Sequence, residues 1–335
     1  MTPARVIMTA RAGSPMKVEE LTSLNPAMQL CLRRAGVAAR SDVPVLLLGE
    51  TGTGKTLLAQ SIHCSSRRAS NACISFNAAA MSDTLLESQL FGHEKGAFTG
   101  ADRTCRGKFE MADGGTLFFD EMADMSALAQ AKILRAIEYG EFERLGSERV
   151  RRADVRIISA TNVCLRERIR LGLFREDLYQ RLNGLTLVIP PLRERREDLP
   201  VLIAWEVMIW AAKLAKPITA IDPLALDRLI GYSWPGNLRE LDHVIQTLVL
   251  LAEGDTIQPN DVQLDPGAGT FVPAPDGPAP GGPDQPEPPL SLAAAVARHV
   301  RHIYELAGRN QHRAAKLLGI SRTTLLRHLR KPDQN

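Results

Sequence analysis

No apolar run in this chain of 335 residues approaches the length of about 18 that a membrane-crossing helix requires. The N-terminus also lacks the basic, then apolar, then small-residue order of a secretory signal. Both absences predict a soluble, cytoplasmic protein with no membrane partner. Cysteine is sparse: Cys31, Cys64, Cys73, Cys105 and Cys164 are scattered without C-x-x-C spacing. That pattern argues against a disulfide framework or a cysteine metal site and predicts buried, reduced thiols, a redox or ligand role being the minor alternative.

Net charge is also small, at +3, until it is divided along the chain. From Ser291 to the end, nine basic residues stand against two acids, so this tail carries +7 and the remainder −4. Four of the seven histidines lie there too. A mildly acidic body with a small basic tail suggests a nucleic-acid-binding module joined to something else. Residues 266–289 hold nine prolines and five glycines, a composition that cannot build ladders or bury much surface, which predicts an extended tether over 265–290.

The tail, 291–335, is read as three helices: Leu292 to Ala307 stopped by Gly308, His312 to Leu318 stopped by Gly319, and Arg322 to Leu329 with Ser321 as N-cap. The last two form a helix-turn-helix pattern. Its second helix would enter the major groove of double-stranded DNA, with Ser321, Arg322, Thr323, Thr324, Arg327 and His328 toward bases and phosphates. A basic helical hairpin used for protein contacts is the alternative.

In the body, Val43 to Leu48 is an apolar run that enters Gly49-Glu50-Thr51-Gly52-Thr53-Gly54-Lys55-Thr56. A strand buried on both faces, followed by a helix starting near Lys55, is the setting a P-loop needs. Its N–H groups would cradle the phosphates of ATP, with Lys55 on the β and γ phosphates and the Thr56 hydroxyl on Mg²⁺. A second apolar run, Thr116 to Phe119, ends in Asp120-Glu121. Asp120 is placed to hold Mg²⁺, partly through water, and Glu121 to orient or deprotonate the attacking water. Helix capping is the bland reading of these two acids.

Further apolar runs at Cys73 to Phe76, Val155 to Ala160 and Leu185 to Ile189 bring the expected strands to five, separated by helix-length segments. The expected fold class is therefore α/β, a parallel sheet covered on both faces, over residues 21–192. A short extension, 1–20, precedes it, with a first helix expected near Leu21 to Leu24. After Pro190-Pro191 only helices are expected, at Asp198 to Ala212, Pro223 to Tyr232 and Asn237 to Ala252, making a small lid over 193–264. Between the two phosphate-handling motifs lies Gly96-Ala97-Phe98-Thr99-Gly100-Ala101, whose glycines permit a sharp turn around an apolar tip suited to a partner.

Taken together, Gly49 to Thr56, Glu87 to Ala101, Phe174 to Leu182, Pro190 to Arg195 and Trp234 to Leu241 resemble the AAA+ central domain of sigma-54-dependent transcriptional activators, the bacterial enhancer-binding proteins. The tail resembles their Fis-type helix-turn-helix. The resemblance implies that the hexapeptide Gly96 to Ala101 engages sigma-54 and that Glu141 to Arg152 is a second, adjacent loop. It also implies that Asn77 is a switch asparagine paired with Glu121, that Thr161 and Asn162 form sensor I, and that Arg239 is sensor II on the lid. Arg175 and Arg181 would be arginine fingers for the ATP of a neighbouring subunit in a ring, as in a hexamer. Their alternative is ordinary ion pairing with Glu176 and Asp177. The cluster Arg149, Arg151 and Arg152 fits a solvated loop face as well as a DNA contact.

The implied activity is ATP hydrolysis coupled to remodelling of sigma-54 RNA polymerase holoenzyme. A DNA-binding regulator of the same ancestry that does not act on sigma-54 is the alternative, and a motor for DNA repair or replication is a weaker one. About twenty residues before the first expected helix are too few for a receiver domain, which favours a separate regulatory protein or control by expression level.

Overall fold

The computed structural model describes residues 16–78 and 81–264, together with Leu290, Ser291 and part of the segment 300–329. The chain divides into two compact units, one built on Leu30–Ile189 and the other on Glu20–Gln29 and the residues from Pro190 onward.

The first unit alternates strands and helices: β1 (Val45–Leu48), α2 (Lys55–Cys64), β2 (Cys73–Asn77), α3 (Asp83–Phe91), β3 (Gly92–His93), β4 (Cys105–Arg106), α4 (Lys108–Met111), β5 (Thr116–Asp120), α5 (Ala127–Tyr139), β6 (Glu141–Glu143), β7 (Val150–Arg152), β8 (Arg156–Thr161), α6 (Leu165–Arg170), α7 (Glu176–Leu182) and β9 (Leu185–Val188). It is preceded by α1 (Pro26–Ala39). Five strands make one sheet in the order β2-β5-β8-β1-β9, and every pairing is parallel. The apolar runs explain this: Leu117, Phe118 and Phe119 of β5 and every residue of β8 are buried, as only a sheet covered on both faces demands. Each of the five expected strands is present within a residue or two of its expected place.

One face of the sheet contributes Leu46, Phe76, Leu117, Phe119 and Ile157 to a core shared with Leu90, Phe91, Phe109, Ile133, Phe142, Leu178 and Leu182. Phe91 stacks on Phe109 with centroids 5.6 Å apart, and Phe109 meets Phe142 at 5.7 Å. These rings come from α3, α4 and β6, so the roots of two surface hairpins, β3–β4 and β6–β7, are anchored in the core itself.

The expected helix near Leu21 to Leu24 is absent; these residues are irregular and α1 starts at Pro26. Local bonding explains it. The Leu24 N–H and the Ser23 hydroxyl both donate to the Asp198 carboxylate at 2.6 Å, and Asn25 Oδ1 accepts from Met28 N at 3.1 Å, a cap one residue before the proline that starts the helix.

The second unit is mainly helical, with α8 (Leu199–Lys213), α9 (Pro223–Gly231) and α10 (Asn237–Leu251) within two residues of expectation. Asp222 Oδ1 caps α9 by accepting from Leu224 N at 2.8 Å. Trp234 is fully buried and donates to Leu229 O at 2.9 Å. Buried Asn237 accepts from Leu192 N at 2.7 Å, so the Trp234 to Glu240 motif is fastened to the start of the unit.

Helices are not all there is. β10 (Ala220–Ile221), β11 (Thr256–Ile257) and β12 (Leu290–Ser291) form a small sheet in the order β11-β10-β12. Strand β12 takes the last residue of the expected tether and the first of the expected tail onto that sheet. Beyond it, α11 (Gln311–Leu317) matches the expected helix from His312 to Leu318. Residues 265–289 lie outside the described residues, as do Ser321, Arg322, Thr323, Thr324, Arg327 and His328.

Candidate functional site

Strand β1 ends at Leu48 and the chain turns through Gly49 to Gly54 into α2. Gly52 and Gly54 have φ of 81° and 101°, the left-handed region that side chains with a Cβ enter at a cost. Gly49 is glycine for another reason: a Cβ there would stand 2.9 Å from Thr53 Oγ1 and 3.1 Å from Ile189 O. No side chain caps α2, so the N–H groups of its first turn face the loop. Lys55 is buried and its Nζ donates to Gly49 O at 2.8 Å and Glu50 O at 3.0 Å, which holds the ammonium inside the loop's curve. Thr53 Oγ1 donates to Glu50 O at 2.8 Å, and Thr56 is exposed on the first turn. Concave N–H donors, a helix N-terminus and a confined ammonium make a cradle that fits a chain of phosphates.

Neighbouring strand ends complete the rim. Asn77 at the end of β2 is in register with Asp120 at the end of β5, and Ala78 N donates to Asp120 O at 3.0 Å. Thr161, at the end of β8, is in register with Leu48, and its carbonyl accepts from Gly49 N at 3.3 Å. Asn162 Nδ2 donates to Thr51 Oγ1 at 3.1 Å, tying the β8 exit to the glycine-rich loop. Glu121 has φ of 56°, and its N–H is held by Ala160 O at 3.0 Å. A non-glycine residue in this conformation costs about 1 to 3 kcal/mol. Glu121 makes no side-chain cap hydrogen bond to the short 3-10 turn that follows it. Thus Asn77, Asp120, Glu121, Thr161 and Asn162 sit with the Gly49 to Thr56 loop at the carboxyl edge of one sheet, where α/β folds bind ligands. The residue types fit a nucleotide and a hard cation: hydroxyl and carboxylate oxygens at Thr56 and Asp120 suit Mg²⁺.

Arg175 and Arg181 are exposed and stand on or beside α7. Arg175 grips Asp177 with Nε at 3.0 Å and Nη2 at 2.7 Å, which holds the Asp177 carboxyl below its ordinary range. Arg181 Nη2 donates to Glu138 Oε1 at 2.6 Å. The alternative of ion pairing with Asp177 is thus seen for Arg175, whereas Arg181 finds an acid on α5. Arg239 is exposed on α10 of the other unit.

The hexapeptide caps the β3–β4 hairpin. Gly96 N donates to Ala101 O at 2.9 Å and Ala101 N to Phe98 O at 3.0 Å, with φ of 84° at Gly96 and 96° at Gly100. Thr99 is exposed at the apex and Phe98 is half-buried. The second loop is the β6–β7 hairpin, and it zips to the first: Glu94 N donates to Leu145 O and Leu145 N to Gly92 O, both at 3.0 Å.

Arg144, buried, donates to Glu94 at 2.9 Å and to both oxygens of Glu110 at 2.7 and 2.8 Å. Arg151 approaches the same two acids at 3.6 Å, and Arg152 pairs with Glu141 at 2.6 Å. Two of the three loop arginines are thus occupied by acids of their own unit. The Arg144, Glu94 and Glu110 group had no role in the sequence reading, since its members come from three separate elements. An arginine amid the apolar spacing of Phe142 and Leu145 was its faint signal.

The cysteines part from expectation. Cys31 is buried, Cys64, Cys73 and Cys105 are half-buried, and Cys164 is exposed at the start of α6. Burial pushes the Cys73 thiol up to about 11. Among the described residues no helix is long and apolar enough to cross a membrane.

Comparison with known proteins agrees with this geometry. Residues 21–188 match the Sigma-54 interaction domain and residues 193–269 the AAA+ ATPase lid domain. The transcriptional regulatory protein ZraR of Klebsiella oxytoca is 44% identical over 305 residues, covering 91% of this chain and 67% of that protein. The Nif-specific regulatory protein of Klebsiella pneumoniae is 48% identical over 250 residues, 74% of this chain and 48% of its own length. Among solved structures, NtrX from Brucella abortus in complex with ATP superposes with a TM-score of 0.68 at 32% identity, covering 92% of this chain and 68% of that one. With a P-loop, paired strand-end acids and a two-loop apical surface on one parallel sheet, the chain belongs to the AAA+ family of sigma-54-dependent transcriptional activators.

Proposed function

We propose that this protein hydrolyses ATP and uses the cycle to remodel sigma-54 RNA polymerase holoenzyme for promoter opening, while its basic tail holds upstream double-stranded DNA. The observation that carries this reading is the placement of two features on one compact unit. The phosphate cradle and strand-end acids lie at the sheet's carboxyl edge, and the Gly96 to Ala101 turn is borne on a hairpin rooted in the same core.

In this reading Gly49 to Gly54, Lys55 and Thr56 would hold ATP with Mg²⁺, Asp120 would share in holding the metal, partly through water, and Glu121 would take the proton of the attacking water. The bound nucleotide supplies the phosphoryl group and its free energy of hydrolysis. Asn77, Thr161 and Asn162 flank Glu121 on the rim and sense whether the γ phosphate is present. Arg175 and Arg181 act on the ATP of a neighbouring copy, where an arginine is worth about 10³ to 10⁵ in rate, so turnover requires a ring, in our reading a hexamer. Arg239 contributes from the lid. Phe98 and Thr99 lead the contact with sigma-54, and the helix-turn-helix positions that lie outside the described residues read the DNA.

The test is promoter opening in vitro with purified sigma-54 holoenzyme, ATP and the full chain. Thr99→Ala is expected to hydrolyse ATP like the wild type and fail to open the promoter. Opening at the wild-type rate by Thr99→Ala would overturn the role of the hexapeptide, and no stimulation by the wild-type chain would favour a regulator that does not act on sigma-54.

A further inference from the structure

The apex of the β3–β4 hairpin turns on a left-handed glycine at each end, with φ of 84° at Gly96 and 96° at Gly100. A Cβ added at either would meet nothing within 4 Å, so these glycines serve the backbone turn and not close packing. The stem is the opposite: a Cβ at Gly92 would fall 2.5 Å from Cys105 O, and one at Gly107 2.3 Å from the Phe91 carbonyl carbon. Between this fixed stem and the free tip there is a side-chain link. The Phe98 ring meets the His93 ring edge-on, with centroids 5.0 Å apart and planes at 68°. His93 Nδ1 in turn lies 2.8 Å from Oγ of Ser88, a buried residue near the end of α3. In chain order α3 follows β2, whose last residue is Asn77 on the nucleotide rim.

We propose that His93 is a positioning residue for the hexapeptide: its ring, oriented by Ser88, parks Phe98 against the stem and sets how often the apolar tip is presented. This rests on the reading of the hexapeptide as the partner-contacting surface. A half-buried imidazole does this better than an aliphatic side chain. It offers a polar atom to Ser88 and a ring to Phe98 at once, and edge-on aromatic pairs favour this separation and tilt. Because Ser88 belongs to α3, any displacement of that helix moves the ring on which Phe98 rests. The contact thus links α3 to the tip through Ser88 and His93.

The experiment is hydrogen–deuterium exchange of the full chain, with no sigma-54 present, read over residues 96–101. The amides of Gly96, Ala97 and Ala101 donate within this turn and report its opening. His93→Asn keeps a partner for Ser88 and removes the ring, and is expected to speed exchange about twofold to tenfold, the weight of one aromatic pair. His93→Phe keeps a ring and is expected to stay near the wild-type rate. Phe98→Ala should speed exchange as His93→Asn does, and the double variant should add little more, because both remove the same contact.

Unchanged exchange in His93→Asn, or full additivity in the double variant, overturns the proposal. ATP turnover of His93→Asn and His93→Phe within about twofold of wild type keeps a general loss of fold from imitating the result. Capture of purified sigma-54 by the same preparations separates the two readings. Parking without any capture by the wild type would leave the His93 role standing and remove the proposed partner, whereas capture that rises in His93→Asn with exchange would support both.

Discussion

Arg181 Nη2 lies 2.6 Å from Glu138 Oε1 of its own chain, a bond between the last turn of α7 and the last turn of α5. A guanidinium that serves a neighbouring subunit must first leave this carboxylate. Arg181→Ala is expected to cut ATP turnover by about 10³ or more with nucleotide binding retained. Glu138→Gln removes the competitor. Because exposed pairs are worth about 0.2 to 1 kcal/mol, half-maximal turnover should come at a protein concentration lower by up to about fivefold. Turnover measured against protein concentration checks both.

Glu121 is held in the left-handed region by a backbone bond to Ala160, and its role is chemical, not structural, in our reading. Glu121→Gln keeps the shape and loses the base. Turnover is expected to fall by about 10² to 10⁴ while ATP affinity stays within severalfold. Equilibrium binding and single-turnover hydrolysis on the same preparation distinguish this outcome from a collapsed site.

Two glycines of the same hairpin should respond differently to alanine. Gly107→Ala forces a Cβ against backbone at 2.3 to 2.4 Å, where nothing can give cheaply, and is expected to cost about 2 kcal/mol or more of stability. Gly100→Ala meets open space and pays for its φ of 96°, about 1 to 2 kcal/mol of local strain confined to a turn that can open. Thermal melting should show a clear drop for the first and little for the second, with the functional loss in the reverse order.

Acid should weaken the seam between the two surface loops. Glu94 is held below the ordinary glutamate value of 4.5 by the Thr104 hydroxyl and by Arg144. Burial raises Glu110, but the hydrogen bond and charge of Arg144, with Arg151 and Arg106, pull it lower still. Carboxyls depressed in the folded state stabilise it above their unfolded value, and the contribution is lost as pH falls through the folded value. The wild-type advantage in Tm over Arg144→Met should therefore be full above about pH 5 and shrink progressively below it. A constant advantage across that range would show that Arg144 stabilises by packing alone.

Much of the catalytic edge could be read from residue order because its parts are local. A buried strand, a glycine turn and a helix start lie within Val45 to Thr56, and the acid pair follows its strand directly. The five strands announced themselves as apolar runs. What residue order could not supply is whatever joins distant segments. Arg181 meets Glu138 across 43 positions, and Arg144 gathers Glu94 and Glu110 from two other elements. The helix expected near Leu21 to Leu24 failed for the same reason, because Asp198, far along the chain, takes the donors of Ser23 and Leu24. Exposure of Cys164 was also invisible, since it depends on which side of a six-residue helix start faces water.

The contrast between a jammed stem and an open tip has a thermodynamic meaning for recognition. Any partner of the tip must immobilise what it grasps, at about 1 to 2 kcal/mol for each backbone residue ordered. Contact between Gly92 and Gly107 has already settled that cost for the arms of the hairpin, and the bonds from Leu145 have settled it for the neighbouring loop. What a partner must still hold in place is the short turn around Phe98, which the His93 ring already steadies. For the remodelling role we propose, a grip that small suits a contact made and released within one turnover.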